Sequence, residues 1–142
     1  MIIWLTGHSG AGKTSLSVPL SKKLEGIILD GDEMRESISL GAGFSKEDRA
    51  EHNYRVARLA NVLSKQRDII VSVIAPSIYV RKNIDKICSP IWIYVKREMP
   101  NREGHFYEES TDYFTVDSDK NSIQENLVKI EKYIQTFPLS QL

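Results

Sequence analysis

Short, nearly continuous apolar runs alternate along this chain with longer stretches in which apolar residues recur at helical spacing. Residues 2–6 read as a buried strand, and residues 13–25 as a helix that stops at Gly26. Ile27-Ile28-Leu29 is a short strand ending at Asp30, and residues 32–40 read as a short helix before Gly41-Ala42-Gly43. Ser45, with Asp48 three residues on, caps a long helix over 46–66 whose apolar stripe is Val56, Leu59, Ala60 and Leu63. Residues 69–75 are the most strongly β-patterned stretch, and Pro76 suits the first turn of a helix through about 88. After Ser89-Pro90 comes a buried strand over 91–95. Residues 97–112 are polar and show no period. Tyr113-Phe114-Thr115-Val116 reads as a short last strand. Ser122 and Glu125 form a capping box for a final helix that turns Ile123, Leu127, Ile130 and Ile134 inward.

Apolar strands separated by helices predict an α/β fold: a parallel sheet of about five strands with helices on both faces. In such sheets ligands bind outside the carboxyl ends of the strands. The informative residues are therefore those just after each strand: the glycine-rich loop after residue 6, Asp30-Gly31-Asp32, Ala75-Pro76 and Lys96-Arg97. The 142 residues suffice for one domain spanning 1–142, with 97–112 as a short lid. Nineteen basic and nineteen acidic side chains give zero formal net charge, which argues against a nucleic-acid or anionic-membrane surface. The start lacks the basic region and cleavage site of a signal peptide, and no apolar run has the length of a membrane span. The expected location is cytoplasmic. A single cysteine, Cys88, excludes an internal disulfide and reads as a core residue.

The candidate chemistry sharpens this frame. Gly7-His8-Ser9-Gly10-Ala11-Gly12-Lys13-Thr14 fits the phosphate-loop pattern G-x-x-x-x-G-K-[ST], between a strand and a helix as that loop requires. Glycines let backbone N–H groups turn toward an anionic phosphate, and the following helix adds its positive end. Lys13 then reaches the terminal phosphates of ATP, and Thr14 offers its hydroxyl to Mg²⁺. The predicted architecture is accordingly a P-loop NTPase fold, with residues 7–15, Ser15 included, holding ATP. The plain alternative is a glycine-rich turn between a strand and a helix.

Asp30-Gly31-Asp32 places two carboxylates at the next strand end. Phosphoryl transfer needs Mg²⁺ on the phosphates and a group that receives the acceptor hydroxyl's proton. Asp32 is the candidate for the base and for a Mg²⁺ contact, while Asp30 orients the loop or metal waters. Arg35, one turn on, is placed to hold an anionic group. An N-capping aspartate in a tight turn is the alternative. On the long helix Arg49, His52 and Asn53 share one face. Phe44 precedes that helix, as a platform for a base or as a hydrophobic staple. His52 has no Cys or His partner at metal-site spacing. A GTPase-like switch would carry Asn-Lys-x-Asp after a strand, which this chain does not; a nucleotide binder without turnover would lack Lys13 or Asp32, both present.

These segments together resemble the adenylylsulfate kinases. The matching text is Trp4-Leu5-Thr6-Gly7-x-Ser9-Gly10-Ala11-Gly12-Lys13-Thr14, Leu29-Asp30-Gly31-Asp32-x-x-Arg35, Gly43-Phe44-Ser45-x-Glu47-Asp48-Arg49, and Ile74-Ala75-Pro76 followed by Arg81. The resemblance covers roughly residues 1–95. It implies transfer of the ATP γ-phosphoryl group to the ribose 3′-hydroxyl of adenosine 5′-phosphosulfate. It further implies that Asp32 is the base, that Arg35 and Arg49 hold the acceptor, that Phe44 stacks on its base, and that Ile74-Ala75-Pro76 lines the adenine. Three departures stand out. His52 replaces the usual Asn and Tyr54 the usual Arg, with Asn53 able to substitute from the same face. Ser77 replaces an aromatic residue. Glu98 to Glu109 replaces the family's basic lid, and Arg102 within it is expected to approach the phosphates. The main alternative is a kinase of another nucleotide-linked small-molecule acceptor in surface-polysaccharide synthesis, such as cytidine diphosphoramidate. The reading allows a homodimer.

Overall fold

The computed structural model of the chain describes residues 1–99 and 106–138. Five parallel strands form one sheet in the order β2-β3-β1-β4-β5. They are β1 (Ile2–Thr6), β2 (Ile27–Asp30), β3 (Ile69–Ser72), β4 (Ile91–Lys96) and β5 (Phe114–Asp117). The helices are α1 (Lys13–Leu24), α2 (Gly31–Arg35), α3 (Lys46–Leu63), α4 (Ile78–Cys88) and α5 (Ile123–Ile134). The predicted α/β class and five-strand parallel sheet are both present.

The strand residues read as continuous apolar runs because each strand is covered twice. Side chains alternate across the sheet. Ile2 and Trp4 of β1, Ile69 and Val71 of β3 and Trp92 of β4 pack on one face with Val56, Ala57 and Ala60 of α3 and with Val80 and Ile84 of α4. Ile3 and Leu5, Ile70, and Ile91, Ile93 and Val95 pack on the other, against α1 and α5. Cys88 packs at the edge of the first core, where burial pushes its thiol up to about 12. Three rings run through that core: Trp4 and Trp92 lie tilted with centroids 5.2 Å apart, and Trp92 stacks on Tyr113 at 5.4 Å.

The capping boxes at Ser45 with Asp48 and at Ser122 with Glu125 both form. Other boundaries differ from the sequence pattern. β3 stops at Ser72 rather than residue 75. The Trp4 indole N–H donates to the Val73 carbonyl (3.0 Å) and the Thr6 hydroxyl to the Ile74 carbonyl (2.6 Å). Side chains of β1 thus take carbonyls that a longer strand would offer to a neighbour, and Ala75 turns to φ 47°. Pro76 is not in α4; Ser77 is the N-cap, its hydroxyl accepting from the Val80 N–H (3.3 Å). α2 ends at Arg35, and turns carry the chain through 36–41. α3 ends at Leu63 rather than residue 66, and β5 begins one residue later than its pattern suggested.

The register brings the strand ends level. Leu5 and Asp30 both pair with Ser72, and Thr6 pairs with Tyr94. The segments that follow β1, β2, β3 and β4 therefore leave the sheet at one edge.

Candidate active site

The loop between β1 and α1 is shaped by two glycines. Gly7 adopts φ 152°, and a Cβ there would stand 2.3 Å from the Val95 carbonyl oxygen. Only a residue without a side chain lets the loop start this close to β4. Gly12 adopts the left-handed φ 101° as the N-cap of α1, so the loop turns into the helix with no side-chain cap. From behind, the Ser118 hydroxyl donates to the Ala11 carbonyl (2.7 Å).

Lys13, the first residue of α1, is 8% exposed. Its ammonium donates to the carbonyls of Gly7 (2.8 Å) and His8 (2.6 Å). Burial lowers its pKa from 10.5 to about 8, against an opposing pull from the Asp30 carboxylate. The chain thus holds its loop lysine by loop carbonyls.

The loop opens into a cavity of about 630 Å³. His8, Ser9, Gly10, Gly12, Lys13, Thr14 and Ser15 line one end; Asp30, Asp32, Arg35, Phe44, Arg49, His52 and Asn53 line the other, with Ile74, Ala75 and Pro76 along the side. Three expected binding residues stand apart. Gly7 is packed under Val95, and the Ala11 methyl points into the core beneath α1, so both shape the loop without lining the cavity. Arg102 lies outside the described residues.

Asp30 and Asp32 divide the work of their turn. The Asp30 carboxylate is the N-cap of α2, accepting from the backbone N–H groups of Asp32 (3.1 Å) and Glu33 (3.3 Å). Among the described residues no hydrogen bond engages the Asp32 carboxylate, which is exposed at the cavity wall. Arg35 donates to the Gly43 carbonyl (2.8 Å) and lies 4.5 Å above the Phe44 ring. Phe44 is 70% exposed, so it does not form a staple with α3; its ring faces the cavity. Burial and the neighbouring Arg49 charge both act against the charge on Arg35, offset by Asp48. Both guanidiniums line the cavity.

On α3 the two neighbours His52 and Asn53 differ. Asn53 donates its amide to the Arg49 carbonyl (2.9 Å) one turn back, and its buried Oδ1 has no partner among the described residues. One of its two amide hydrogens is thus taken by the helix. His52 is held through Nδ1 by Ser39 at 2.7 Å.

Residues without an assigned role also line the cavity. Arg97 follows β4 and donates to the Gly10 carbonyl (2.7 Å). Its place at a strand end was visible in the sequence, but its direction was not. Phe106 enters from the polar segment before β5, where no period set a register. Arg81 is fully buried behind Ala75 of the cavity wall. It donates to the carbonyls of Ala75 (2.6 Å) and Glu108, and lies against the Tyr107 ring at 4.6 Å. Tyr107 in turn shares a hydrogen bond with the Thr6 hydroxyl (2.9 Å) and meets the His8 ring at 5.7 Å.

The sequence over residues 1–105 matches the family described as adenylylsulphate kinase. The chain belongs to that family. A probable adenylyl-sulfate kinase of Archaeoglobus fulgidus is 35% identical over an alignment covering 84% of this chain and 97% of that protein. One from Pyrococcus abyssi is 42% identical, over 68% of this chain and 64% of its own length. The fold extends the likeness beyond the matched sequence: an APS kinase from Mycobacterium tuberculosis, solved in complex with AMPPNP and APS, superposes with a TM-score of 0.83 over 94% of this chain and 96% of that one, at 22% identity. The P-loop kinase fold is therefore shared over most of the chain, including described residues beyond the family match at 1–105.

Proposed function

We infer that the chain transfers the γ-phosphoryl group of ATP to the ribose 3′-hydroxyl of adenosine 5′-phosphosulfate. The observation that carries this reading is the single cavity into which the phosphate loop and the Asp32, Arg35 and Arg49 wall both face. A donor and an acceptor bound at its two ends meet across Asp32. Lys13 and the loop hold the donor phosphates, and Arg35 and Arg49 hold the anionic end of the acceptor. Phe44 presents a ring to the acceptor base, with the Ile74-Ala75-Pro76 backbone along its edge. Asp32 accepts the proton of the 3′-hydroxyl as that oxygen bonds to the γ-phosphorus; the bond to the bridging oxygen breaks and ADP leaves.

Magnesium fits the oxygen donors at this place. Thr14 and Asp32 line the cavity, and no three His, Cys, Asp or Glu side chains gather into a cage among the described residues. An ion of this type needs only one or two protein oxygens beside the substrate phosphates and its waters. When bound, it neutralises charge on the β- and γ-phosphates.

A second acceptor class, cytidine diphosphoramidate, is favoured by where the departures fall. His52 and Phe106 line the acceptor part of the cavity, while the loop at the donor end keeps its pattern. Among the departures Ser77 has a local purpose, capping α4. A coupled assay of ADP release, run with each acceptor, decides between them. Turnover with adenosine 5′-phosphosulfate alone supports the first reading; turnover with neither overturns both.

A further inference from the structure

A buried hydroxyl sets the proton on the ring that faces the acceptor. Ser39, in the turns after α2, is 2% exposed. Its Oγ lies 2.7 Å from Nδ1 of His52 and 3.4 Å from Nη1 of Arg55, which Glu51 holds from the other side at 3.7 Å. A guanidinium has donors and no lone pair. The Ser39 proton therefore has one acceptor among the described residues, the lone pair of Nδ1. If Nδ1 carried a hydrogen instead, it and Arg55 would both aim donors at the same oxygen, and the hydroxyl hydrogen would be buried unpaired. Burial, with the Arg35 and Arg55 charges adding to it, lowers the His52 pKa to about 4, so the ring is neutral at physiological pH. A neutral imidazole with a bare Nδ1 carries its hydrogen on Nε2.

We propose that His52 is a fixed hydrogen-bond donor, through Nε2–H, to the nucleotide acceptor, and that Arg55 and Ser39 set its tautomer from behind. His52 is 4% exposed and lines the cavity, and Nε2 is the ring's remaining polar atom. The Asn that the family resemblance expects here could turn either its oxygen or its nitrogen outward. His52 offers a donor alone. The group opposite it must carry a lone pair: a ring nitrogen, a carbonyl, or a phosphate or sulfate oxygen. An exocyclic amino group at that point would leave two donors facing each other, and it is rejected. This selection rests on the acceptor reading above; the tautomer does not.

Two measurements test it. A long-range ¹⁵N–¹H correlation spectrum of the histidine-labelled protein at neutral pH should show His52 as the Nε2–H tautomer, and Ser39→Ala should mix the tautomers. With adenosine 5′-phosphosulfate as acceptor, His52→Ala should lower kcat/KM about tenfold, whereas His52→Asn, which retains a donor, should stay within about threefold. The KM for ATP should hold in both. Adenosine as a competitive inhibitor reads which part of the acceptor is touched. Equal weakening of adenosine and substrate by His52→Ala places the contact on the base or ribose, and weakening of the substrate alone places it on the anionic end. An Nδ1–H tautomer in the wild-type protein overturns the proposal, as does His52→Ala with unchanged acceptor kcat/KM. Wild-type protein without turnover on either acceptor counts against the kinase reading instead, so the two failures read separately.

Discussion

Lys13 sits where burial and ligand pull its proton in opposite directions. Burial lowers its pKa to about 8, so the free protein loses that charge as pH rises through about 8. In the unfolded chain the group keeps its proton up to about 10.5. Between those values the unfolded state binds more protons, and stability rises with pH as far as Lys13 governs it. Nucleotide affinity moves the other way. ATP binds the charged form, so its Kd should climb above about pH 8, by roughly tenfold per pH unit at most. Lys13→Arg, which stays charged, should give a flat profile over the same range. Calorimetric titration between pH 7 and pH 9.5 measures this; a wild-type Kd that does not change would remove Lys13 from phosphate binding. Asp32 belongs to the same scale but to a different step. Asp32→Ala should retain ATP affinity and lose about 10²- to 10⁴-fold in kcat, because a base acts on transfer rather than on binding. Unchanged turnover in that variant would take Asp32 out of the mechanism.

Arg81 carries the argument at the level of elements. It lies on α4, in a family-like position, yet nothing near it in sequence hints at its task. In the fold it ties the loop after β3 to residues 107–113, through the Ala75 and Glu108 carbonyls and two tyrosine rings. Arg81→Ala leaves those carbonyls without donors in a dry place. It should cost about 3 kcal/mol, read from the urea midpoint, and should raise the acceptor KM more than the ATP KM. Equal effects on both KM values would show that the tie does not position the acceptor wall. The same contrast explains what could be read ahead of the structure. The strands, the two capping boxes and the phosphate loop follow from neighbours in sequence, so their patterns were legible. The cap at Ser77 was also local, but Pro76 beside it was the stronger signal. β3 ends early because Trp4 and Thr6, almost seventy residues away, take its following carbonyls. Arg97 and Phe106 enter the cavity through packing that no local pattern encodes. Asp32, Arg35, Phe44, Arg49 and His52 were readable as a group because each lies beside a strand end or on one helix face, and the sheet register brings those places together.

For the molecule as a whole, a cavity shared by two ligands links stability to both. A ligand that binds only the folded chain stabilises it by about 2.7 kcal/mol at a hundredfold excess over Kd. For a chain of this length that corresponds to a rise in Tm of roughly 8 °C, which ATP with Mg²⁺ should produce in a thermal scan. Lys13→Ala should abolish most of the rise with ATP while leaving the effect of the acceptor nucleotide in place. An equal loss with both ligands would mean that the variant damages the fold rather than one end of the cavity.

Both tryptophans of the chain, Trp4 and Trp92, belong to the aromatic cluster in the core that also holds Ala75. The cluster ends at Tyr113, whose hydroxyl accepts from Arg81 (3.3 Å). Intrinsic emission at the red edge of excitation therefore comes from one place in the molecule. A ligand that shifts residues 107–113 against Arg81 must disturb Tyr113, and through it Trp92. The two tryptophans should therefore act as a label-free optical reporter of events at this wall of the cavity, suited to stopped-flow mixing with each nucleotide in turn.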